Sequence, residues 1–563
     1  MFITVAPCRL NETLPARQCV PNGRQSDSGS TRNYQVLTFE LPGAAAKYFS
    51  SEPPVRISRA NLLLLIGTVL VLLPLLTIKV LPWTDYPVHL AALHVIAHLD
   101  DTLLAQYYDI NLRILPNSGM EILTYPFAKF LSVYLVGKVF AVFTVIVLIS
   151  GIVALNRTVT GQASPWPLLA LVFVHNGWFK QGTMNYIFGI GAALWALNGY
   201  LKLRPRSALI RALFLGVVIP LLFVTHLYSV CLFALGVGSY EVWQSWKARS
   251  PRSLYPLACF GLLVPLALAG SSVSERIAFD CETPDGRSSC AFDWVFQDRI
   301  EGVKQIYQLD YLPWDSMLDK GVLAVIVALF AWCVWQRRLV THPVGILILV
   351  LVFPIFMALP GTLFQSWGAA QKLPVGVFFL ALPFFSLKFD SPRQAGVFAS
   401  IVLAVTLVRM IDMTYGFYTY RGMQTAYEES FQKMQRGARV LTVDAVTAKD
   451  WARGSTTEVW ASLCSVERSC LFANNITNPT NQVMKVRPAW KRLDNPMMMS
   501  VYPADLVHPI RGTHFENWRK DYNYAYFIHV PKDYRPPVEG MTLIYEYQYP
   551  DWVKSFQLYA ITQ

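Results

Sequence analysis

Long apolar stretches alternate with short polar segments between residues 61 and 414. A helix needs roughly 20 apolar residues to cross about 30 Å of hydrocarbon, and residues 61–83 meet that requirement. The chain is therefore predicted to be a polytopic α-helical membrane protein. Its pattern indicates about eleven transmembrane helices, near 61–82, 126–154, 165–178, 184–203, 208–224, 226–245, 254–270, 320–336, 341–360, 373–387 and 395–414.

Basic residues test this assignment of spans independently, because short cytoplasmic loops are enriched in Lys and Arg. With a cytoplasmic N-terminus, every second loop is basic, while the intervening short loops hold only isolated cations. The basic loops contain Arg56 and Arg59; Arg157; Lys202, Arg204, Arg206 and Arg211; Lys247, Arg249 and Arg252; Arg337 and Arg338; and Lys388 and Arg393. The pattern predicts a cytoplasmic N-terminus and a C-terminal region on the outer side.

The chain divides into three predicted parts. Residues 1–55 are polar, lack a secretory signature and are expected to be a disordered cytoplasmic segment without an assigned function. Residues 56–415 form the multi-span transmembrane domain, with outer loops at 83–125 and 271–319. Residues 416–563 alternate apolar strand-like segments, at 439–443, 524–530 and 541–547, with polar loops, which predicts a small extracytoplasmic α/β domain.

Composition changes this picture little. The chain is 54% hydrophobic and only 15% charged, whereas soluble domains carry about 25% charged residues. Its net charge of +12 could indicate a nucleic-acid partner. Most charges, however, lie directly beside apolar runs, so we interpret them as topology determinants and expect no nucleic acid.

Cysteine positions agree with the predicted sides. Cys281 and Cys290 fall in one outer loop, and Cys464 and Cys470 fall in the outer C-terminal region. Each close pair is a candidate disulfide, because the outer side is oxidising, with two unbonded thiols as the alternative. Intramembrane cysteines behave as small apolar residues, and those predicted within spans are Cys231, Cys259 and Cys333.

Asp85 is the first acid after the first span, in the segment TDYPVHL. A helix that follows it to about residue 105 is predicted to lie in the membrane interface with its polar face towards water. A carboxylate at the bilayer edge is suited to general-base work on a hydroxyl. Asp before a Pro at the first helical turn is also typical of an N-cap. The sequence leaves both roles open.

Further polar residues could serve a site on the outer side. His94 and His98 are four apart on the same predicted helix, near Asp101, which is compatible with a metal or with a polar helix edge. Lys372 opens the tenth span and Arg409 lies in the last, so both could hold a lipid phosphate. Arg409 and Asp412 could instead neutralise one another. Weaker candidates are Lys79, Lys180 and His226.

The chain resembles the membrane glycosyltransferases of the GT-C type, which take sugars from polyprenyl-phosphate carriers outside the cytoplasm. The resemblance runs from about Arg56 to the end and rests on an inside N-terminus, an Asp after the first span, an acidic mid-chain outer loop and an outer terminal domain. Three segments also look like those of uncharacterised bacterial relatives of the group: 85–89 (DYPVH), 185–189 (NYIFG) and 518–524 (WRKDYNY).

The resemblance implies a multi-pass enzyme of the bacterial inner membrane. Asp85 would be the base of an inverting transfer, and substrate binding is assigned to His89, Glu121, Lys372 and Arg409. The donor would be a polyprenyl-phosphate-linked sugar and the acceptor a lipid, glycan or protein. Many family members carry a second acid in the first or second outer loop. Here Asp85 lacks an acidic neighbour, and the loosely matching substitutes are Glu121 and Asp101.

Other readings stay open. No metal ligands or cofactor are assigned, although a divalent cation is compatible with the acids. A transporter or lipid-linked glycan flippase is the chief non-enzymatic alternative, but the chain shows no evident repeat, and its polar residues gather at the outer edge. A polysaccharide polymerase or ligase and a membrane-anchored binding protein complete the alternatives.

Overall fold

The structure, a computed structural model, describes most of the chain beyond residue 58. The described residues are 59–270, 292–309, 311–312, 314–363, 366–445, 459–475, 477, 482–495, 500–531, 533–548 and 555–562. They belong to one compact unit, Ile57–Gln563. The segment 1–55 and the predicted Cys281–Cys290 pair lie outside the described residues, so both expectations stay predictions.

Apolar helices dominate the first two thirds of the described chain. Four of the described helices are long and apolar enough to cross a membrane: Val133–Thr160, Ala208–Thr225, Asp315–Trp335 and Pro392–Gln432. Leu213, Val217 and Leu221 follow one face of the second of these helices and are each more than 60% exposed. A continuous exposed apolar stripe is what lipid contact requires. The chain is thus a helical membrane protein, while the count of about eleven spans stays a prediction.

The other helices flank or connect these four. Before residue 300 they are Arg59–Leu72, Tyr86–Ala97, Thr102–Tyr107, Gly119–Ala128, Leu169–Phe173, Gly177–Lys180, Met184–Leu203, Leu227–Ala248, Leu263–Gly270 and Gln297–Lys304. The later ones are Pro343–Ala358, Ala369–Ala381, Cys464–Arg468, Pro503–Val507 and Trp518–Asp521. The last of the four long helices divides at Tyr420 into Pro392–Thr419 and Arg421–Gln432. Short 3-10 helices lie at Leu73–Leu76, Trp166–Leu168, Pro251–Leu262, Leu382–Phe384, Trp460–Leu463 and Pro488–Leu493.

The predicted span at 165–178 is not one continuous helix. A 3-10 turn, Trp166–Leu168, leads into the short helix Leu169–Phe173. Asn176 then starts a new helix, because its side chain accepts hydrogen bonds from the backbone N–H groups of Trp178 and Phe179. The run has 14 residues, fewer than the roughly 20 that a straight span needs, and the Asn176 cap interrupts it.

The C-terminal region contains a five-stranded mixed sheet. Its strands, in spatial order, are Met541–Tyr547, Ser555–Ile561, Tyr524–Val530, Arg439–Asp444 and Leu471–Phe472. The last three strands run parallel to one another, and Ser555–Ile561 is antiparallel to both of its neighbours. The three strands that the alternation predicts are all present. That this region forms a separate domain stays a prediction.

Three smaller sheets tie distant loops together. Tyr108–Ile110 pairs antiparallel with Met484–Val486. Leu339–Thr341 pairs with Phe385–Leu387. A three-stranded sheet joins Phe292–Asp293, Thr362–Leu363 and Ser366–Trp367.

The first predicted outer loop is docked on the C-terminal region. Beyond the strand pair at Tyr108–Ile110, the buried hydroxyl of Tyr108 donates to the carbonyl of Cys470 at 3.2 Å. It accepts from the backbone N–H of Phe472 at 3.1 Å and from Asn475 at 2.9 Å. Cys470 is disulfide-bonded to Cys464, as the sequence predicts. The two segments therefore lie on the same side of the helices.

The helix Tyr86–Ala97 is buried rather than laid along an interface. Every one of its residues except His94 is buried. It packs against Gly119–Ala128 on one side and against Trp460–Leu463 and Cys464–Arg468 on another. The prediction of a water-facing polar face is therefore wrong, because the C-terminal region covers that face.

Candidate functional site

Asp85 occupies the N-cap position of the helix Tyr86–Ala97 without acting as a cap. Its backbone has φ −88° and ψ −5°, and its side chain accepts no capping hydrogen bond from the helix. The capping alternative is therefore wrong. The carboxylate is half-buried, so it stays available to a substrate.

The backbone of Asp85 is held by the turn that follows the helix Gly177–Lys180. The N–H groups of Thr84 and Asp85 donate to the carbonyls of Lys180 and Gln181, at 3.0 and 2.9 Å. Gly182 closes this turn with φ +81°, and a Cβ there would lie 2.8 Å from the Asp85 nitrogen. Such a close backbone approach in a left-handed conformation requires glycine.

Below Asp85 lies a buried polar cluster formed by His89, Glu121 and Asn185. Nδ1 of His89 lies 3.1 Å from Oε1 of Glu121. The second oxygen of Glu121 accepts from Nδ2 of Asn185 at 3.3 Å. All three side chains are less than 5% exposed. The helices Tyr86–Ala97 and Gly119–Ala128 and the start of Met184–Leu203 are thus joined by polar contacts.

Lys372 brings a buried cation to the same place. It lies in the first turn of Ala369–Ala381 and is 8% exposed, with its ammonium 4.8 Å from the ring centre of Trp178. Gly368 permits this packing, because it has φ +76° and a Cβ there would lie 2.3 Å from the Trp178 ring. The hydroxyl of Tyr186 donates to the Lys372 carbonyl at 2.5 Å.

The electrostatics connect these groups to Asp85. Burial raises the pKa of the Asp85 carboxyl above its usual range, while the charges of His89 and Lys372 lower it in part. A carboxylate with a raised pKa is a stronger base than an exposed one. The arrangement can accept a proton at Asp85 and hold an anion at Lys372.

Four of the five predicted site residues thus fall in one cluster, and the fifth has other partners. The guanidinium of Arg409 is fully buried, bonds to Asp319 at 2.9 Å and donates to the carbonyl of Tyr307 at 2.8 Å. Asp412 accepts instead from the indole of Trp314 at 2.9 Å. The suggestion that Arg409 and Asp412 neutralise one another is therefore wrong, since Arg409 pairs with Asp319.

The histidines suggested as metal ligands stack on each other. The rings of His94 and His98 are 4.4 Å apart, and Nδ1 of His98 lies 3.0 Å from the His94 carbonyl. Asp101 caps Thr102–Tyr107 and accepts from Ser469 at 2.7 Å. Within the part of the chain that the structure describes, no three His, Cys, Asp or Glu side chains meet as metal ligands would.

Several site residues were not predicted from the sequence. Trp178 and Tyr186 frame Lys372, and Asn185 anchors Glu121. The ring of His226 lies 5.4 Å from that of Tyr186, and its Nδ1 accepts from the Tyr228 N–H at 3.1 Å. Of these residues, the sequence marked His226 as a weaker candidate and the segment 185–189 by its resemblance, but nothing in their spacing indicated which partners they have.

Comparison with known proteins adds a likeness of overall fold. No family model matches the chain, and neither does any curated protein. Among solved structures, a similar one is ArnT from Cupriavidus metallidurans bound to undecaprenyl phosphate, which is 11% identical with a TM-score of 0.46. The alignment covers 88% of this chain and 97% of ArnT. At this identity and TM-score the likeness carries no statement about activity, which has to be argued from the site's own side chains.

Proposed function

We propose that the chain is a glycosyltransferase that moves a sugar from a polyprenyl-phosphate carrier to a lipid, glycan or protein acceptor, on the outer side of the bacterial inner membrane. The observation that carries this proposal is the uncapped, half-buried carboxylate of Asp85 beside the buried ammonium of Lys372. A base and an anion holder are the two groups that such a transfer needs from the protein.

The proton balance assigns a role to each group. The acceptor hydroxyl gives its proton to the Asp85 carboxylate while its oxygen bonds to the anomeric carbon from the face opposite the phosphate. The bond between that carbon and the phosphate oxygen breaks, and its electron pair leaves with the phosphate. Displacement from the opposite face inverts the anomeric centre. Asp85 then returns its proton to water.

Lys372 is the residue to which we assign the leaving phosphate. Negative charge develops on that phosphate as the bond breaks, so a fixed cation stabilises the transition state more than the ground state. The Lys372 side chain is buried and its ammonium packs over the Trp178 ring, so its position is fixed. Arg409 suits this role less, because its two terminal nitrogens already bind Asp319 and the Tyr307 carbonyl.

The purified full chain offers a direct test of this function. It is incubated with labelled polyprenyl-phosphate sugars and a membrane extract, and the product is analysed for label and anomeric configuration. We expect label in the acceptor fraction with inverted configuration. Absence of transfer with every donor, together with substrate flux in liposomes, would overturn the proposal in favour of a transporter or flippase.

A further inference from the structure

Glu121 is a buried carboxylate whose geometry is fixed from two sides. Its two oxygens bind His89 and Asn185, and it is 3% exposed. Asn185 is fixed in turn, since it donates to the Asn117 carbonyl at 2.8 Å and accepts from the Met120 N–H at 2.5 Å. Ionising a carboxylate this deeply buried costs several kcal/mol unless a cation pairs with it.

The contact with Glu121 also bears on the position of the imidazole proton. An ionised carboxylate only accepts hydrogen bonds, so with Glu121 ionised, Nδ1 of His89 carries the hydrogen in their contact. Burial by itself lowers the pKa of His89, but the hydrogen bond and charge of Glu121, together with the charge of Asp85, raise it above its ordinary value. These contacts favour the imidazolium form.

His89 lies one helical turn after Asp85, and its backbone N–H donates to the Asp85 carbonyl at 3.1 Å. The charged groups that act on Asp85 come from two elements: His89 on its own helix and Lys372 on Ala369–Ala381. We infer that His89 is a positioning residue that keeps Asp85 ionised, and that Glu121 and Asn185 hold it as an imidazolium for this purpose. The catalytic consequence rests on the function proposed above, whereas the charge coupling does not.

The coupling can be measured without any sugar donor. A hydrophobic carbodiimide labels a carboxyl group in its protonated form, so the pH midpoint of Asp85 labelling in the full chain, read by peptide mass spectrometry, reports when Asp85 loses its proton. Removing the imidazolium with His89→Gln should raise this midpoint by about one pH unit, because an opposite charge at close range lowers a carboxyl pKa by about that amount or more.

Two further variants separate charge coupling from packing. Glu121→Gln keeps the side-chain shape and should raise the midpoint as well, because the imidazolium loses its partner. If His89→Gln lowers the unfolding temperature, Glu121→Gln tests the charge coupling in its place. The double variant should shift no further than His89→Gln alone, since Glu121 acts through His89. His98→Gln, at the C-cap of the same helix, should leave the midpoint unchanged.

An unchanged Asp85 midpoint in both folded variants would overturn the inference. The result is distinct from a failure of the proposed function. If the variants shift the Asp85 midpoint but the wild-type chain transfers no sugar, the charge coupling stands and the glycosyltransferase proposal falls. If the wild-type chain transfers sugar but the variants leave the midpoint unchanged, the glycosyltransferase proposal stands and the coupling falls.

Discussion

The Asp85 carboxylate makes no capping hydrogen bond to its helix and instead interacts with the charges of His89 and Lys372. An Asp at a helix N-cap ordinarily accepts a backbone N–H and contributes about 1 kcal/mol to stability. Here that bond is absent, and the carboxylate is half-buried beside His89 and Lys372. Local rules that fail at one residue commonly mark a functional position.

Lys372 gives a prediction at the same scale. Lys372→Met should lower the rate of transfer about 100-fold, because a fixed cation that meets developing charge is worth about 3 kcal/mol. Lys79→Met is the matched control, since Lys79 is half-exposed and pairs with Glu428 on the surface at 2.6 Å. Steady-state transfer rates of both variants decide it. Equal rates in the two variants would remove Lys372 from the site.

Residue types together with the family resemblance were enough to select Asp85, His89, Glu121 and Lys372 as candidates. Their partners were not predictable. Arg409 pairs with Asp319, which lies 90 residues earlier, rather than with its neighbour Asp412. A contact between two helices leaves no trace in the spacing along either one, so only the packed structure reveals it.

Among the elements, the turn at Gly182 sets the position of Asp85. Gly182→Ala should reduce transfer sharply, because the added Cβ would meet the backbone nitrogens of Asp85 and Tyr86 at 2.8 and 2.7 Å. Gly161→Ala is the control: it has φ +71° but no atom within 4 Å of the added Cβ. Both substitutions carry the left-handed backbone cost of about 1 kcal/mol.

The comparison of these two variants therefore isolates the clash from the backbone cost. Thermal unfolding measures the shared stability loss, and the transfer assay measures the specific one. Wild-type transfer by a folded Gly182→Ala protein would show that the turn does not position Asp85.

Elements that depend on local pattern were predicted well. The strands Tyr524–Val530 and Met541–Tyr547 have the predicted ranges, and all seven residues of the first are buried. The helix Tyr86–Ala97 was expected to face water, because its polar residues suit an interface. Its burial depends on the distant segment Trp460–Arg468, which the local pattern cannot indicate.

At the scale of the whole molecule, the C-terminal region packs against the helix that follows Asp85. It pairs with the first predicted outer loop at Tyr108–Ile110 and covers one face of the helix Tyr86–Ala97. The buried hydroxyl of Tyr108 bonds to three groups of that region. We therefore expect the terminal region to lie on the same side of the membrane as Asp85.

That placement gives a prediction of topology. Alkaline phosphatase fused after Gln563 should be active in intact cells, because this enzyme folds only outside the cytoplasm. A fluorescent protein that needs the cytoplasm to mature should stay dark at the same junction. An inactive alkaline phosphatase and a bright fluorescent protein would overturn the predicted topology, which rests on the positions of Lys and Arg.

The most direct measurement of the central claim compares two isosteric variants of the full chain in one transfer assay. Asp85→Asn should lose about 10²- to 10⁴-fold in rate, as expected when a general base is removed, while its unfolding temperature stays at the wild-type value. Asp109→Asn, at a half-exposed acid that pairs with Lys485 at 3.5 Å, should keep the wild-type rate. Undiminished transfer by Asp85→Asn would contradict the account.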